Sequence, residues 1–378
     1  MLDHWDDVVN SLAAGIPCAA ATIIRTSGSV PRPAGTSMIT SSSGELWGSL
    51  SGGCVEAAVL HSALEAIADG SPRTEVFGYS DGDAFAAGLS CGGSLDVRIQ
   101  PLAPGALPPG PAPAALLRRL DGGRLPVAVS SGAALDAALQ DLLPDVEAAV
   151  LTEMRARLES LLSAGRTGAV PVPGRDSAGG SGGEAPALFL ECRPAPPRLY
   201  LLGANDYSVA LCRMGALLGY RVTVVDARTA FTNPERFPEA EDVVVQWPDT
   251  LLRAEQAAGR LDARSVVCLL SHDAKFDVPA LAAALGSPAG YVGAMGSRRT
   301  HRQRVRALRA AGMDGPSLAR LHSPIGLDIG AGTPEEVAVS VFAEITAARH
   351  AGATGLPLSA LSGPIHASPR PVTQLTAS

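Results

Sequence analysis

The stretch from Arg198 to Asp226 constrains the fold of this chain more than any other. An apolar run ends at Gly203, residues 209–218 follow a helical pattern, and a second apolar run leads to Asp226. Strand, glycine turn, helix, strand and acid is the order of a dinucleotide-binding βαβ unit. Three more strand-like runs, with helical segments between them, predict a doubly wound parallel sheet of Rossmann-like type. They span residues 243–245, 265–270 and 290–292.

The glycine turn of this unit departs from the G-x-G-x-x-G pattern that binds a pyrophosphate. Gly203, Asn205 and Ser208 stand at the three glycine positions. Asn tolerates a left-handed backbone and Ser is small, but each brings a side chain to a place where the pyrophosphate needs bare backbone. Asp206 adds a carboxylate near the helix N-terminus, where it would repel or replace a phosphate. The sequence therefore predicts the fold and argues against a bound dinucleotide.

A second strand, glycine pair and helix pattern lies near the start of the chain. A strand-like run over residues 45–50 leads to Gly52 and Gly53, then to Cys54 and a helical pattern. With Ser51 as the N-cap, Cys54 is predicted in the first helical turn, where the helix dipole favours a thiolate. The glycines allow a ligand or another backbone to approach closely.

Cys91, Gly92 and Gly93 repeat the cysteine and glycine pair just before another strand-like run. Two turns of this type indicate a site for an anionic or sulfur-bearing ligand. The alternative is that the cysteines are small buried apolar residues and the glycine pairs mark turns. Spacing alone favours this alternative for Cys91 and leaves the choice open for Cys54.

Two more loops follow predicted strands in the second half of the chain. Residues 271–277 place His272 at the end of the sheet where ligands bind in such folds, although a polar loop with a helix cap is the favoured alternative. A second group opens another helix, where backbone amides and arginines would bind an anion. It consists of Gly293, Gly296, Ser297 and Arg298. A solvated basic helix face accounts for the later arginines, Arg304 among them.

Length, charge and cysteine pattern limit the classes of protein. A chain of 378 residues favours two domains, and a net charge of -7 argues against nucleic acid as a partner. Lys275 is the only lysine, so the chain has no phosphate-binding P-loop. The six cysteines form no C-x-x-C pair, which argues against a zinc ribbon, another metal site of that type or a disulfide framework. The first residues lack secretory-signal features and no run reaches membrane-span length, so a reducing cytoplasm is expected.

The composition along the chain predicts four segments. Residues 1–105 are expected to form a compact α+β domain, and residues 106–197 a variable segment and linker with a flexible Gly/Ser loop. Residues 198–350 hold the Rossmann-like domain, whose last helix is predicted to begin with a capping box from Thr333 to Glu336. Residues 351–378 are small, polar and proline-bearing and are expected to be disordered.

Taken together, these motifs resemble the xanthine dehydrogenase accessory factor family, XdhC/CoxI. The first half matches in residues 28–32 (Gly-Ser-Val-Pro-Arg), 52–56 (Gly-Gly-Cys-Val-Glu) and 91–93 (Cys-Gly-Gly). The second half matches in the βαβ unit of residues 199–226, in His272-Asp273 with Asp277, and in residues 291–299 and 324–336. Each motif is weakly specific, but their joint order spans both ends of the chain and leaves only about residues 103–186 unmatched.

The resemblance implies a cytoplasmic accessory protein, usually a homodimer, that is a chaperone rather than an enzyme. Such a protein transiently binds molybdenum cofactor, shields it during sulfuration by a cysteine desulfurase, and inserts it into a xanthine dehydrogenase-type molybdenum hydroxylase. On this hypothesis Cys54 contacts the cofactor or its terminal sulfur, and Cys91 assists. Arg32 and the amides of the two glycine pairs hold the pterin phosphate, and Glu56 belongs to the same predicted site.

Two other functions remain open on the sequence. The Rossmann-like domain allows an NAD(P)-dependent oxidoreductase or a diverged nucleotide-binding protein, with Gly203, Asn205, Asp226 and His272 as candidate ligand contacts. Against this, the family's usual Gly-x-Gly-His turn is replaced here by Gly-Ala-Asn-Asp. A redox or metal protein using Cys54 and Cys91 is the second alternative. For the molybdenum cofactor, the site is expected in a cleft between the glycine-rich first domain and the strand ends of the second.

Overall fold

The computed structural model describes residues 1–78, 93–122, 124–172, 186–350 and 353–362, without the side chains of residues 186 and 187. The chain divides into two compact units, residues 1–195 and residues 196–361. The predicted fold class is confirmed, since an α+β region precedes a parallel-sheet Rossmann-like unit. The predicted Gly/Ser loop, Cys91, Gly92 and most of the predicted disordered tail lie outside the described residues.

Unit 1 begins with a five-stranded antiparallel sheet in the order β3–β2–β1–β5–β4. Its strands are β1 (Cys18–Ser27), β2 (Ser37–Ser41), β3 (Leu46–Gly48), β4 (Arg73–Gly78) and β5 (Ser94–Leu102). Helices α1 (Trp5–Ala13) and α2 (Glu56–Asp69) accompany it. Successive β1 side chains point to opposite faces, so Ala19 and Ala21 pack with Val59 of α2, whereas Ala20 packs with Val8 of α1. Both faces are covered, which explains the unbroken apolar run of β1.

A second sheet follows in the same unit, where the sequence predicted a variable segment and linker. It has four strands in the order β7–β6–β9–β8. They are β6 (Ala115–Arg119), β7 (Val127–Ala128), β8 (Gly168–Pro171) and β9 (Pro186–Cys192), with helices α3 (Ala133–Leu142) and α4 (Ala148–Ser163). Because β6 pairs with β9, which is distant in the sequence, local sequence patterns do not predict that these strands form a sheet.

A buried ion pair joins the second sheet to the first. Glu191 on β9 bonds Arg118 on β6, and it accepts from the amino group of Met1 at 2.6 Å and the amide of Leu2 at 2.7 Å. The Arg118 guanidinium also donates to the Thr22 hydroxyl on β1 at 3.2 Å. Because these charges are buried and paired, they fix the two sheets against each other within unit 1.

Unit 2 is built on a six-stranded parallel sheet in the order β12–β11–β10–β13–β14–β15. The strands are β10 (Arg198–Leu202), β11 (Arg221–Asp226), β12 (Asp242–Val245), β13 (Val266–Leu269), β14 (Tyr291–Ala294) and β15 (Leu321–His322). This order is typical of dinucleotide-binding Rossmann domains, and the direction of the strand order reverses between β10 and β13.

Helices cover both faces of the parallel sheet. They are α5 (Asp206–Leu217), α6 (Pro248–Ala257), α7 (Ala274–Leu285), α8 (Arg298–Ala310), α9 (Gly315–Ala319) and α10 (Pro334–Arg349). Leu199 and Leu201 pack in one apolar cluster and Tyr200 in the other, as alternation along β10 requires. The predicted capping box of α10 is confirmed. None of the helices in the described ranges is long and apolar enough to cross a bilayer.

Candidate functional site

Three strands of unit 1, namely β1, β3 and β4, finish at the same end of the five-stranded sheet. The β1–β2 loop carries Arg32, the loop after β3 carries the glycine pair and Cys54, and the loop after β4 leads back to Gly93. The register pairs Ser27 with Ser94 and Met38 with Gly48, so all three loops leave the sheet at the same end. The register therefore places the start of the Arg32 loop, the start of the Cys54 loop and Gly93 at the same end of the sheet.

Gly93 lies directly against the loop that carries Arg32. A Cβ atom on Gly93 would stand 2.3 Å from the carbonyl oxygen of Ser29 and 2.7 Å from that of Ser27. No side chain fits there, so packing alone accounts for a glycine at this position. Arg32 itself is exposed.

The loop between β3 and α2 is organised around the carboxylate of Glu56. Its two oxygens accept seven hydrogen bonds from residues 49–55, at 2.6 to 3.2 Å. Five donors are backbone amides and two are the hydroxyls of Ser49 and Ser51. The donors are Ser49 Oγ, Leu50 N, Ser51 N, Ser51 Oγ, Gly52 N, Gly53 N and Val55 N. The loop is therefore an anion-binding nest of amides that holds the chain's own carboxylate.

The hydrogen bonds explain the charge state of Glu56. Burial opposes its ionisation, but donation from the Ser49 and Ser51 hydroxyls and from the loop amides outweighs burial and lowers the pKa of Glu56 well below its ordinary value. The amides of Gly52 and Gly53 are thus engaged by Glu56, whereas the sequence assigned them to a pterin phosphate. Glu56, included in the predicted cofactor site, points into its own loop.

The helix after this loop begins later than the sequence predicted. Helix α2 starts at Glu56 with Val55 as the N-cap, so the prediction of Ser51 as N-cap was wrong. Ser51 instead accepts from the amides of Cys54 at 2.9 Å and Val55 at 3.1 Å. Cys54 therefore lies before the helix rather than in its first turn, and it is exposed. The prediction considered only which residue types favour the N-cap position. It did not include the seven hydrogen bonds to Glu56, which hold residues 49–55 in a loop before the helix.

In unit 2, a cavity of about 510 Å³ lies at the carboxyl ends of β10, β11 and β13. This is the point where the strand order reverses, at which open parallel sheets of this type bind ligands. Four predicted residues line it: Gly203, Asn205, Asp226 and His272. The other four, namely Gly293, Gly296, Ser297 and Arg298, are not among its lining residues. Ser297 caps α8 by accepting from Thr300 N, and Arg298 is exposed.

The N-terminus of α5, where a pyrophosphate would bind, is capped by side chains of the turn itself. Asn205 Oδ1 accepts from Ser208 N at 3.0 Å, and Ser208 Oγ accepts from Asn205 N at 2.9 Å. Asn205 Nδ2 also donates to the carbonyl oxygen of Leu270 at 3.0 Å. Asp206, at the first helical position, is exposed and pairs with Arg236 at 3.0 Å.

Asp226, the acid that would bind a ribose in a dinucleotide site, is also fully engaged. Its oxygens accept from Ala204 N, Arg228 N and two guanidinium nitrogens of Arg228, at 2.7 to 2.9 Å. Burial opposes its charge, but these donors hold the pKa of Asp226 below its usual range. A carboxylate has about four lone-pair positions, and these four donors already use them, so Asp226 is a poor acceptor for a ribose hydroxyl in this arrangement. The residues present do not fit NAD(P) in its usual pose.

A buried ion pair anchors the neighbouring loops. Asp277 and Arg304 are both buried, and Arg304 Nη2 donates to Asp277 at 2.6 Å. The same nitrogen donates to Ser271 O at 3.0 Å, and Nη1 donates to Met295 O. The interpretation of Arg304 as part of a solvated face was wrong, because a helical spacing of arginines does not show which of them points inward. His272 is exposed, and Asp273 caps α7.

Within the described residues, no group of three or more histidine, cysteine or acidic side chains is arranged to hold a metal ion.

Comparison with known proteins places these features in a family. The profile of the XdhC and CoxI family matches residues 11–78, which contain the Glu56 loop, and that of the XdhC Rossmann domain matches residues 199–345. Together they cover more than half of the chain. The chain belongs to the XdhC/CoxI family.

Three relatives of this XdhC/CoxI chain differ in how much they share with it. YqeB of Escherichia coli K12, named uncharacterized, is 36% identical over 186 residues, which is 48% of this chain but only 33% of YqeB. A protein of Bacillus subtilis 168, named as a probable xanthine dehydrogenase subunit, is 26% identical over 342 residues, 87% of this chain and 92% of that protein. The molybdenum cofactor insertion chaperone PaoD of E. coli K12 is 27% identical over 342 residues, 90% of this chain and 86% of PaoD.

A solved structure shares the fold. The crystal structure of a protein named as a xanthine dehydrogenase, from Bacillus halodurans, superposes on this chain with a TM-score of 0.62 at 21% identity. The match covers 91% of this chain and 95% of that one.

Proposed function

We propose that this XdhC/CoxI chain binds molybdenum cofactor and inserts it into a molybdenum hydroxylase of the xanthine dehydrogenase type. The observation that carries the proposal is the exposed Cys54 on a loop held by Glu56, at the end of the sheet where the Arg32 loop also emerges. The name of PaoD, a relative along most of the chain, supports the same cargo.

The chemistry of the two exposed side chains suits this cargo. A cysteine sulfur is a soft donor that suits a molybdenum centre or its terminal sulfur. The Arg32 guanidinium, exposed on the neighbouring loop, has the planar fork that recognises a phosphate. Cys18, Cys212 and Cys268 are buried and Cys192 is half-buried, so among the cysteines that the structure describes Cys54 is the accessible one. In this proposal Cys54 contacts the cofactor and Arg32 holds its phosphate.

The engaged amides refine the predicted binding mode. Because Gly52 N and Gly53 N donate to Glu56, the phosphate is assigned to Arg32 and not to the amides of this glycine pair. The proposal extends to sulfuration of the bound cofactor by a cysteine desulfurase, and to a homodimer acting in the cytoplasm. Cys91 and Gly92 keep their proposed supporting role from the sequence.

One observation favours a second function, a nucleotide bound in unit 2. The cavity at the strand reversal has the position and size of a ligand site. The capping of α5 and the occupied carboxylate of Asp226 oppose NAD(P) there, so an oxidoreductase using this cofactor is the weaker candidate. Titration with NADPH, followed by its fluorescence, separates the two: tight binding would favour the oxidoreductase.

Pterin retention tests the main proposal. The full chain, co-expressed with a source of molybdenum cofactor, is purified, oxidised and assayed for pterin fluorescence. Retention is expected in the wild type, to be lost in Cys54→Ala, and to be weakened in Arg32→Ala. Cys192→Ala is the matched control, because Cys192 is half-buried on β9, and it should retain pterin. Absence of pterin from the wild type, even with free cofactor offered, would contradict the proposal.

A further inference from the structure

The acid in the Gly-Gly-Cys-Val-Glu motif plays a different part from the cysteine beside it. Glu56 sends both carboxylate oxygens back into residues 49–55, where they meet seven donors. A carboxylate with two oxygens offers about four lone-pair positions, so these oxygens are already saturated. Glu56 thus has no acceptor capacity left for a ligand in this arrangement.

The contacts lead from Glu56 to the backbone of Cys54 in two steps. Glu56 Oε2 accepts from the Ser51 hydroxyl at 2.6 Å, and the oxygen of that hydroxyl accepts from the Cys54 amide at 2.9 Å. The residues on either side of Cys54 are held directly, since Gly53 N and Val55 N donate to Glu56 at 2.8 and 3.2 Å. The position of the Cys54 backbone therefore depends on the carboxylate of Glu56.

Leu50 and Val55 are buried and anchor the two ends of this loop, whereas its middle, residues 52–54, is exposed. Gly52 and Gly53 have φ values of 82° and 126°, and a Cβ built on either would meet no atom within 4 Å. Both glycines and Cys54 are exposed, so packing does not define their conformation. Five backbone amides arranged around one point would repel one another without an anion at the centre.

We propose that Glu56 is a positioning residue, whose carboxylate fills the amide nest of residues 49–55 and thereby presents Cys54 at the end of the sheet. It acts through the loop and not by touching the cofactor. The consequence for cofactor binding rests on the function proposed above, but the positioning itself does not.

Removal and replacement of the anion tests this assignment. In Glu56→Ala the nest is empty, and a small carboxylate such as formate can enter it. Amides of residues 50–55 are expected to exchange with deuterium at least about tenfold faster than in the wild type, because their acceptor is gone. The rate at which iodoacetamide, a neutral reagent, alkylates Cys54 should change by about threefold or more as the loop loosens. Added formate should return both rates toward the wild-type values, whereas chloride at equal ionic strength should not.

Control variants separate this local role from a general loss of structure. Glu65→Ala removes an exposed acid from the same helix α2, where Glu65 pairs with Arg73, and it should leave both rates unchanged. Ser49→Ala removes one of the seven donors and keeps the acid, so it gives a smaller change in the same direction and serves if Glu56→Ala fails to fold. Unchanged exchange and alkylation in both Glu56→Ala and Ser49→Ala would overturn the proposal.

Pterin retention then distinguishes positioning from direct contact. If Glu56 positions Cys54, Glu56→Ala loses pterin together with the ordered loop, and formate restores both. Loss of pterin with an unchanged loop would make Glu56 a ligand and overturn the assignment. If the wild type retains no pterin at all, the proposed function fails, while the exchange, alkylation and formate results still decide the role of Glu56.

Discussion

The two units share one sequence pattern, a strand followed by a glycine turn and a helix. They differ in which groups accept hydrogen bonds from the backbone amides of that turn. In unit 1 a single carboxylate, that of Glu56 at the start of the helix, accepts from five backbone amides of the preceding loop. In unit 2 the donors are divided: Asn205 and Ser208 cap the helix, and Asp226 on the adjacent strand accepts from Ala204 N.

Burial accompanies this difference. Gly52 and Gly53 are exposed, whereas Gly203 and Asp226 are buried. The turn of unit 2 is thus held by packing and by long-range contacts, whereas the exposed middle of the unit 1 loop, between buried Leu50 and Val55, is held mainly by the charge of Glu56. A single substitution at Glu56 therefore removes the anion from the unit 1 loop, while the turn of unit 2 depends on the surrounding sheet.

The largest effect is expected from the buried ion pair that supports the unit 2 loops. Arg304→Met leaves Asp277 buried without its partner, which costs about 3–5 kcal/mol in comparable proteins. Hydrogen exchange of the α7 and α8 amides should report this loss. Arg306→Met is the matched control, because Arg306 is exposed on the same helix and its removal should cost less than about 0.5 kcal/mol. Equal effects of the two variants would contradict the difference in burial.

Alanine substitutions at the two glycine turns should distinguish the stability cost of a packing clash from that of backbone strain. Gly203→Ala and Gly52→Ala both place a side chain at positive φ, 113° and 82°, at a cost of about 1–2 kcal/mol each. At Gly203 the new Cβ would also stand 3.0 Å from the amide nitrogen of Ser271, whereas at Gly52 it meets nothing within 4 Å. Gly203→Ala should therefore lower the urea midpoint further. A greater loss at Gly52 would reverse the comparison.

Acid should weaken the unit 1 loop through Glu56. Because the pKa of Glu56 is lower in the folded chain than its ordinary value of 4.5, its contribution to stability is present above that value and is lost as the pH falls through the folded pKa. Glu56→Gln should cost about 1–2 kcal/mol at pH 7, and the difference from the wild type should shrink below pH ~4.5. Urea unfolding across this range measures it. A difference that does not vary with pH would show that charge is not the cause.

The smallest effect is expected from the exposed acid of unit 2. Asp206 and Arg236 form a pair whose carboxylate is 84% exposed, and such pairs contribute about 0.2–1 kcal/mol, less in high salt. Asp206→Asn should shift the urea midpoint only slightly at low salt and not at all at high salt. A loss as large as that of Glu56→Gln would mean that both turns depend on one acid, and the contrast between the units would fail.

Much of the fold was predictable because its signals are local. The apolar runs and glycines of residues 198–226 predict the βαβ unit. The last helix begins at its predicted capping box, in which Thr333 and Glu336 exchange hydrogen bonds. A strand buried on both faces appears in the sequence as an unbroken apolar run, and a helix buried on one face appears as apolar residues at helical spacing. These predictions needed no knowledge of distant neighbours.

The sequence alone determined the family-like order of motifs, the parallel sheet and the residue types available at each turn. Only the tertiary structure decided what those side chains do. In the folded chain Glu56 accepts hydrogen bonds from the loop before it, and Asp226 accepts from Arg228. Arg304 is buried in an ion pair with Asp277, and β6 pairs with β9. The reason is physical. An acidic or arginine residue looks the same in the sequence whether its charge faces water or a buried partner, and only the folded chain brings that partner within reach.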